Sequence, residues 1–348
     1  MAFMFNLPFI FALFAVAIVV NDAALTPELY WNKVLPGASM PKAIRESLNS
    51  EVIKNKGSSA VPQSRPIPIY GKGFVAAETS IKDVYDVPAG KVGRSSSTFI
   101  YKRIRYGRIR YGRIKYAATE TALKDASKVS LFFLETDLVP EKTFNLQFIR
   151  GGSPVSFMPR EMADSIPFSS HNLTYILHRF SINPESEKAS TMKETITTCE
   201  EPGISGEEKY CPTSLESMID FSTKILGKKN NVRAVSTGSN GDTQIKKYKI
   251  EHSVKSLTGD RDVDATSIVC HKMPYVYAVF YCHSIKSTKL YTAPLKSETG
   301  SEVEAVAVCH EDTTKWNPEH LPFQMLKVKP GTPICHFLAD DTVVWYRN

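Results

Sequence analysis

Residues 266–283 read TSIVCHKMPYVYAVFYCH and contain two short runs, TSIVCHK and PYVYAVFYCH, each with a Cys followed by a His. Both runs are rich in Val, Ile and Tyr, which is typical of β-strands. Neighbouring residues of a strand point to opposite faces of a sheet. Each Cys can therefore face the core and form a disulfide, while the His beside it faces the other way, toward a cleft.

The same composition continues on both sides of this stretch. The segment SLFFLETDLVPEKTFNLQF (130–148) holds two strand-like runs that a Pro-containing turn separates. Six further strand-like runs are NVRAVSTG (231–238), QIKKYKIEHSV (244–254), KLYTAPL (289–295), VEAVAVCH (303–310), TPICHFL (332–338) and DTVVWY (341–346). One amphipathic helix is predicted at Ser214–Leu226, with Thr213 or Ser214 as its N-cap. Residues 130–348 are therefore predicted to form one α+β domain in which β-structure dominates.

All six cysteines lie in this predicted domain, and four of them are followed by His. The four pairs are Cys270-His271, Cys282-His283, Cys309-His310 and Cys335-His336, and 10, 25 and 24 residues lie between them. These intervals are too long for the ligand pairs of a zinc finger. With Cys199 and Cys211, the four cysteines predict three disulfides, although their spacing leaves the pairing open.

The four histidines of these pairs form a candidate metal site: His271, His283, His310 and His336. Imidazole nitrogen suits Cu(II), and a site of His alone favours copper or zinc over calcium or magnesium. Zinc would use the same ligands, so the residues leave both metals open. The simpler alternative is that these histidines only pack or face solvent. The other four histidines follow no Cys and are predicted to be structural or exposed: His171, His178, His252 and His320.

The first 24 residues have the pattern of a secretory signal peptide. An apolar run from Phe9 to Val20 is followed by small residues, with a cleavage site near Ala23 or Ala24. The rest of the chain has no run of the roughly 20 apolar residues that a membrane span needs. The protein is therefore predicted to be secreted through an oxidising compartment, and Asn172 is a candidate glycosylation site.

Residues 25–98 are predicted to form a flexible pro-region that ends in a polar linker rich in Gly, Pro and Ser (49–98). A tandem repeat follows at 99–118, with KRIRY, GRIRY and GRIKY at 102–116. The repeat holds seven of the 43 Lys and Arg residues, and without these seven the basic residues equal the 36 acidic ones. The net charge of +7 therefore belongs to the repeat, and the folded part gives no argument for a nucleic-acid or membrane partner.

The four Cys-His pairs and their spacing resemble the plant BURP domain. Four other segments are similar to that family: PELYWNKVLPGASMPKAI (27–44), LFFLETDL (131–138), KYCPTSLESMIDF (209–221) and VCHEDTTKWNPEHLPFQMLKVKPGTPICHF (308–337). The resemblance implies either a secreted seed, stress or cell-wall protein of obscure activity, or a copper-dependent peptide cyclase. Such cyclases crosslink Tyr or Trp in core peptides of their own chain, and processing proteases release the products. It also implies that His271, His283, His310 and His336 are the copper ligands.

Each unit of the repeat contains an Ile-x-Tyr triplet. A basic patch could bind a polyanion with any spacing of Lys and Arg, so the fixed Ile and Tyr favour a chemical role. Ile has a tertiary Cβ–H bond, and Tyr has an oxidisable phenol. Together with the resemblance, this predicts Tyr oxygen to Ile Cβ crosslinks, formed with copper and O2 as oxidant, at Tyr106–Ile104, Tyr111–Ile109 and Tyr116–Ile114.

Two alternatives stay open at this level. A carbon–carbon or carbon–nitrogen crosslink would use the same residues. The whole protein could instead be a non-catalytic protein of the cell wall or vacuole, whose basic repeat binds pectin or another wall polyanion.

Overall fold

The computed structural model describes residues 25–48, 129–148, 155–203, 207–227, 231–239, 244–258 and 266–347. The predicted signal peptide (1–24), linker (49–98) and repeat (99–118) lie outside these residues. The α-helices in the described ranges are α1 Pro27–Val34, α2 Lys42–Leu48, α3 Arg160–Asp164, α4 Leu173–Arg179, α5 Glu187–Glu200, α6 Leu215–Leu226 and α7 Leu321–Leu326. None of these helices has the length and apolar character that a membrane span requires.

The strands form two antiparallel sheets. They are β1 Thr143–Leu146, β2 Lys209–Tyr210, β3 Val232–Val235, β4 Lys246–Ile250, β5 Lys255–Ser256, β6 Ser267–Met273, β7 Val279–Ile285, β8 Thr288–Ser297, β9 Glu302–His310, β10 Ile334–Phe337 and β11 Thr342–Arg347. Sheet I has the order β1-β4-β8-β9-β10, with β5 paired to β8. Sheet II has the order β2-β7-β6-β11-β3. The strands that carry the four Cys-His pairs are thus β6 and β7 in sheet II, and β9 and β10 in sheet I.

An apolar cluster lies between the two sheets. It contains Val269 and Val344 from sheet II together with Leu290, Val306 and Val308 from sheet I, all buried. Side chains alternate along a strand, so the other residues of the same strands form separate clusters on the outer faces of the two sheets. Burial of each such side chain stabilises the fold by about 1.5–3 kcal/mol. The molecule is therefore layered, with the facing sides of the sheets buried against each other.

Helix α6 covers the outer face of sheet II. Its N-cap is Ser214, whose hydroxyl accepts a hydrogen bond from the amide of Ser217 at 3.1 Å. Its buried apolar residues recur every three or four positions, so one stripe of the helix faces the sheet: Leu215, Met218, Ile219 and Leu226. Gly227 follows the last turn with a φ of 85°, a conformation that glycine adopts without steric cost.

The predicted fold class is confirmed: the domain is α+β, dominated by β-structure and linked by three disulfides. Helix α6 and the eight strand-like runs of residues 231–346 are present, within a few residues of their predicted ends. Of the two runs predicted in 130–148, the second forms β1. The first makes only an isolated bridge between Phe133 and Cys335 and then a 3-10 turn, Glu135–Asp137.

Sequence reasoning did not predict α3, α4, α5 or α7. It also assigned residues 25–98 to a pro-region outside the folded domain. The structure instead places Pro27–Leu48, hereafter the N-terminal segment, in the same buried cluster as α6 and the outer face of sheet II. The folded unit therefore includes residues on both sides of the undescribed stretch 49–128.

Candidate metal centre

The four strands that carry Cys-His pairs form two matching ladders. Cys270 lies directly opposite Cys282 in the β6–β7 pair, and Cys309 lies directly opposite Cys335 in the β9–β10 pair. Each opposed pair forms a disulfide, and the remaining bridge joins Cys199 to Cys211. All four ladder cysteines are fully buried, on the outward clusters of their sheets. Three disulfides are typical of an oxidising compartment outside the cytosol.

The histidines of the ladders face the opposite way from the cysteines. Residues two apart in a strand share a face, so His271 lies on the same face as Val269, and His310 on the same face as Val308. Both valines belong to the cluster between the sheets. The predicted alternation of Cys and His is thus present. Within each ladder the two imidazoles stack: the ring centroids of His271 and His283 are 5.6 Å apart, and those of His310 and His336 are 5.5 Å apart.

The histidine pair of sheet II has polar neighbours. Nδ1 of His283 lies 2.5 Å from Oε1 of Glu207, and only 6% of the His283 side chain is exposed. Nδ1 of His271 lies 3.5 Å from the hydroxyl oxygen of Thr342, on the neighbouring strand β11. The ring of Tyr281 lies 5.6 Å from that of His283, and the ammonium of Lys209 lies 5.3 Å from the centre of the Tyr281 ring. Both histidines thus have an oxygen near Nδ1.

The histidine pair of sheet I has aromatic neighbours. The ring of Trp316 lies 5.3 Å from that of His310, and the ring of Phe132 lies 6.4 Å from that of His336. Burial lowers the pKa of His336 to about 4. Burial, followed by the neighbouring His336 and His283, lowers the pKa of His310 well below its usual value. Both imidazoles are therefore neutral at pH 7, which is the form that binds metals.

The two pairs are linked across the sheets, because His283 on sheet II is the third cause, after burial and His336, of the lowered pKa of His310 on sheet I. In the part of the chain that the structure describes, however, no three His, Cys, Asp or Glu side chains are grouped closely enough to hold a metal ion. The arrangement supplies two imidazole pairs, without thiolates because every described cysteine is in a disulfide. Such a donor set fits copper or zinc in its chemistry.

The remaining histidines follow the expectation from sequence. His171, His178 and His252 are exposed. His320 is partly buried beside Trp316, with 5.7 Å between the ring centroids, and burial lowers its pKa to about 4. Asn172 ends a 3-10 turn, Ser170–Asn172, and is partly exposed. The six predicted core residues, Ile104, Tyr106, Ile109, Tyr111, Ile114 and Tyr116, lie outside the described residues.

Three residues beside the histidines were not predicted from sequence: Glu207, Thr342 and Trp316. Trp316 stands six residues after His310, inside a segment that resembled the BURP domain. Glu207 lies 76 residues before His283, and Thr342 lies 71 residues after His271. No spacing rule links such distant positions, because their contacts depend on how strands β2 and β11 pair within sheet II.

Comparison with known proteins gives a consistent set of matches. Residues 131–347 match the family described as BURP domain. BURP domain-containing protein 5 of Oryza sativa subsp. japonica is 40% identical over 335 residues, which are 94% of this chain and 89% of that protein. BURP domain protein RD22 of Arabidopsis thaliana is 50% identical over 236 residues, 66% of this chain and 59% of RD22. Protein RAFTIN 1B of Triticum aestivum is 29% identical over 343 residues, 94% of this chain and 92% of that protein.

The matched regions of some relatives cover little more than half of those proteins. The alignment spans 59% of RD22 and 54% of BURP domain-containing protein 3 of Oryza sativa subsp. japonica. In both cases it covers about two thirds of this chain, 66% and 67%. About a third of this chain lies outside each of these two alignments.

Proposed function

Because this chain belongs to the BURP domain family, we propose that it is a secreted, copper-dependent peptide cyclase that acts on its own repeat. The observation that carries the proposal is the arrangement of two stacked His pairs on the facing sides of two sheets. Neither pair has a role in the disulfides or in the outer clusters, so a structural explanation of the cysteines does not explain the histidines.

The histidines His271, His283, His310 and His336 would hold the metal. Copper, when bound, would supply the redox chemistry that passes electrons from substrate to dioxygen. The protein contributes neutral imidazoles, since burial disfavours protonation of His310 and His336. Glu207 beside Nδ1 of His283 favours the tautomer with the proton on Nδ1, which leaves Nε2 as the free donor.

The substrate would be the Ile-x-Tyr triplet of each repeat unit. Ring closure forms one bond between the Tyr oxygen and Ile Cβ, and it breaks the phenol O–H and the Ile Cβ–H bonds. The two protons and two electrons reduce O2 to hydrogen peroxide. Because the repeat is covalently attached to the domain, its effective concentration is high, and three units can react at one site.

The repeat can be isolated as one peptide to test this proposal. The chain has no acidic residue between Asp86 and Glu120, so cleavage after Asp and Glu releases the repeat within a single fragment, residues 87–120. After incubation of the purified protein with Cu(II) in air, this fragment should lose about 2 mass units per ring, or about 6 in all. Tyr111→Phe should reduce the loss to about 4, whereas Tyr101→Phe, outside the Ile-x-Tyr units, should leave it at about 6.

The ligand assignment has its own control. His283→Ala should abolish the mass loss and weaken Cu(II) binding, and His252→Ala, at an exposed position, should change neither. Unchanged masses across several copper and oxygen conditions in the unaltered protein would refute the cyclase proposal. Full activity of His283→Ala would refute the assignment of His283 as a ligand.

A non-catalytic role is the second candidate, and the seven cations of the repeat favour it. In that case the repeat would bind pectin or another polyanion of the cell wall by charge. Binding to immobilised pectin should then be lost at 1 M salt, where the Debye length is about 3 Å. It should also be lost in a variant whose seven Lys and Arg residues are replaced by Gln. Pectin binding with no mass change would select this role over the cyclase.

A further inference from the structure

The N-terminal segment, Pro27–Leu48, is buried against the domain as deeply as the domain's own core. Trp31 of α1 and Leu35, the C-cap that follows this helix, are each 1% exposed, and Ile44 of α2 is fully buried. The ring centroid of Trp31 lies 5.5 Å from that of Trp345, in the central part of sheet II. All these residues share one cluster with α6. A domain that began at residue 130 would leave this apolar surface uncovered.

Hydrogen bonds and a salt bridge fix α1 onto α6 and α3. The Tyr30 hydroxyl donates to Oδ1 of Asp220 at 2.5 Å, and Nη2 of Arg160 donates to Oδ2 of the same carboxylate at 2.7 Å. The Arg160 guanidinium lies 5.0 Å from the centre of the Tyr30 ring, which completes a three-residue network. The Tyr30–Asp220 bond crosses 190 positions of sequence, so it is a tertiary contact.

Helix α2 is attached to the strand that carries His271. Lys272 is 8% exposed, and its ammonium donates to the hydroxyl oxygen of Ser47 at 3.0 Å and to the carbonyl of Val155 at 3.2 Å. The amide of Phe157 donates to the carbonyl of Ser47 at 2.8 Å. A buried ammonium needs hydrogen-bond acceptors, so Ser47 stabilises Lys272, the residue that follows His271 in β6.

We propose that the N-terminal segment stays bound when the chain is cut between Leu48 and Val129, so that the processed protein is a non-covalent complex of two chains. The contacts described above join the segment to residues 155–345, beyond the cut. None of them depends on an intact peptide bond across residues 49–128. Removal of the repeat would then leave sheet II and its histidine pair intact. This inference does not rest on the proposed cyclisation.

The full-length protein provides the test. A recognition sequence for a site-specific protease replaces Gly57–Ser59, and the native protein is cut and passed over a size-exclusion column. The N-terminal fragment should elute with the domain at micromolar concentration. Separation of the fragment from the otherwise unaltered domain under these conditions would overturn the proposal.

Three substitutions identify the contacts that hold the fragment. Trp31→Ala should weaken retention by about 30-fold or more, because it empties a buried site. Tyr30→Phe removes one hydroxyl and should weaken retention by roughly tenfold. Leu29→Ala on the same helix is the matched control, since Leu29 is 55% exposed and should have no effect.

Retention is measured by dilution of the cut complex, with a fluorescent label on the fragment. If Trp31→Ala prevents folding, Tyr30→Phe decides the outcome, because it changes no packing. Equal retention in Tyr30→Phe, in any folded Trp31→Ala protein and in the control would show that the fragment is held by other contacts, and would overturn the docking described here.

Discussion

The two histidine pairs have the same backbone arrangement but different surroundings. In both sheets, a disulfide joins directly opposed cysteines, and the neighbouring imidazoles stack 5.5 or 5.6 Å apart on the other face. In sheet II an oxygen atom lies near each Nδ1, from Glu207 and Thr342. In sheet I, aromatic rings lie beside the histidines and burial lowers their pKa values. The Cys-His dipeptide thus determines where each imidazole lies in its sheet, and the rest of the fold determines the polar or apolar surroundings of that imidazole.

In the proposed metal site, this difference would divide two tasks between the sheets. A carboxylate beside a ring nitrogen orients an imidazole and selects its tautomer. An apolar environment keeps an imidazole neutral, so that it does not need to lose a proton before it binds a metal. The comparison can be tested by removal of one feature at a time from one pair while the other pair serves as the internal reference.

The largest effect is expected on acidification of the metal-free protein. The pKa of His336 and that of His320 fall from 6.5 to about 4 on folding, so the unfolded chain binds protons first. The stability that these two histidines contribute is therefore fully present above about pH 6.5 and is lost as the pH falls toward 4. The loss is about 1.4 kcal/mol per pH unit for each histidine, or up to about 3 kcal/mol each.

Urea denaturation between pH 7 and pH 4 measures this dependence. His320→Gln should reduce the loss of unfolding free energy on acidification by roughly the contribution of one histidine. His252→Gln, at an exposed position, should leave that loss unchanged. An equal pH dependence of the unfolding free energy in His320→Gln and in the unaltered protein would contradict the assignment of part of this dependence to burial of His320.

The second effect compares the two ladder disulfides. They close loops of different length, with sequence separations of 12 for Cys270–Cys282 and 26 for Cys309–Cys335. From loop entropy alone, replacement of both cysteines by Ala should lower the free energy of unfolding by about 3 kcal/mol in sheet II and about 3.5 kcal/mol in sheet I. Chemical denaturation measures both, and a loss under about 1 kcal/mol in either sheet would show that its ladder does not need the covalent bond.

Much of this comparison was predictable from the sequence, and the reason is local. Alternation along a strand places Cys and His on opposite faces, and Val, Ile and Tyr identify the strands, so the ladders follow from adjacent residues. The disulfide pairing could not be predicted from the sequence, because it depends on which strands are neighbours in the sheets. Helix α5 was missed because its sequence, EKASTMKETITTCE, is largely polar and buries little more than Ala189, Met192 and Ile196 as apolar residues.

The N-terminal segment shows the same limit more clearly. Its apolar residues Tyr30, Trp31, Val34 and Leu35 are spaced as on one face of a helix. Their partners, however, lie in α6 and β11, at the far side of an 80-residue stretch. Sequence position alone therefore suggested a pro-region, because a cleavable leader and a distant piece of the core look alike until the tertiary contacts are known.

The third effect concerns the carboxylate of sheet II. Glu207→Gln should weaken Cu(II) binding by about 10- to 100-fold, the usual cost of loss of an outer carboxylate beside a ligating imidazole. Glu208→Gln, at the adjacent exposed position, is the matched control and should have no effect. Cu(II) titration of the purified full-length protein, followed by tryptophan fluorescence, to which Trp316 beside His310 contributes, measures binding without reliance on catalysis. Equal affinity of the two variants would remove Glu207 from the proposed site.

The smallest effect is expected at the other oxygen of the same pair. Thr342 contacts Nδ1 of His271 at 3.5 Å, the outer limit of a hydrogen bond, and it carries no charge. Thr342→Val keeps the shape of the side chain and its β-branch, so it should change Cu(II) affinity by no more than about threefold and stability by less than about 1 kcal/mol. Two outcomes of the titration are informative. An effect as large as that of Glu207→Gln would mean that orientation of either imidazole limits metal binding, and the charge of Glu207 would then be incidental. A small effect of Thr342→Val on Cu(II) affinity, together with a large effect of Glu207→Gln, would mean that in sheet II the polar neighbour of His283 matters for metal binding and that of His271 does not.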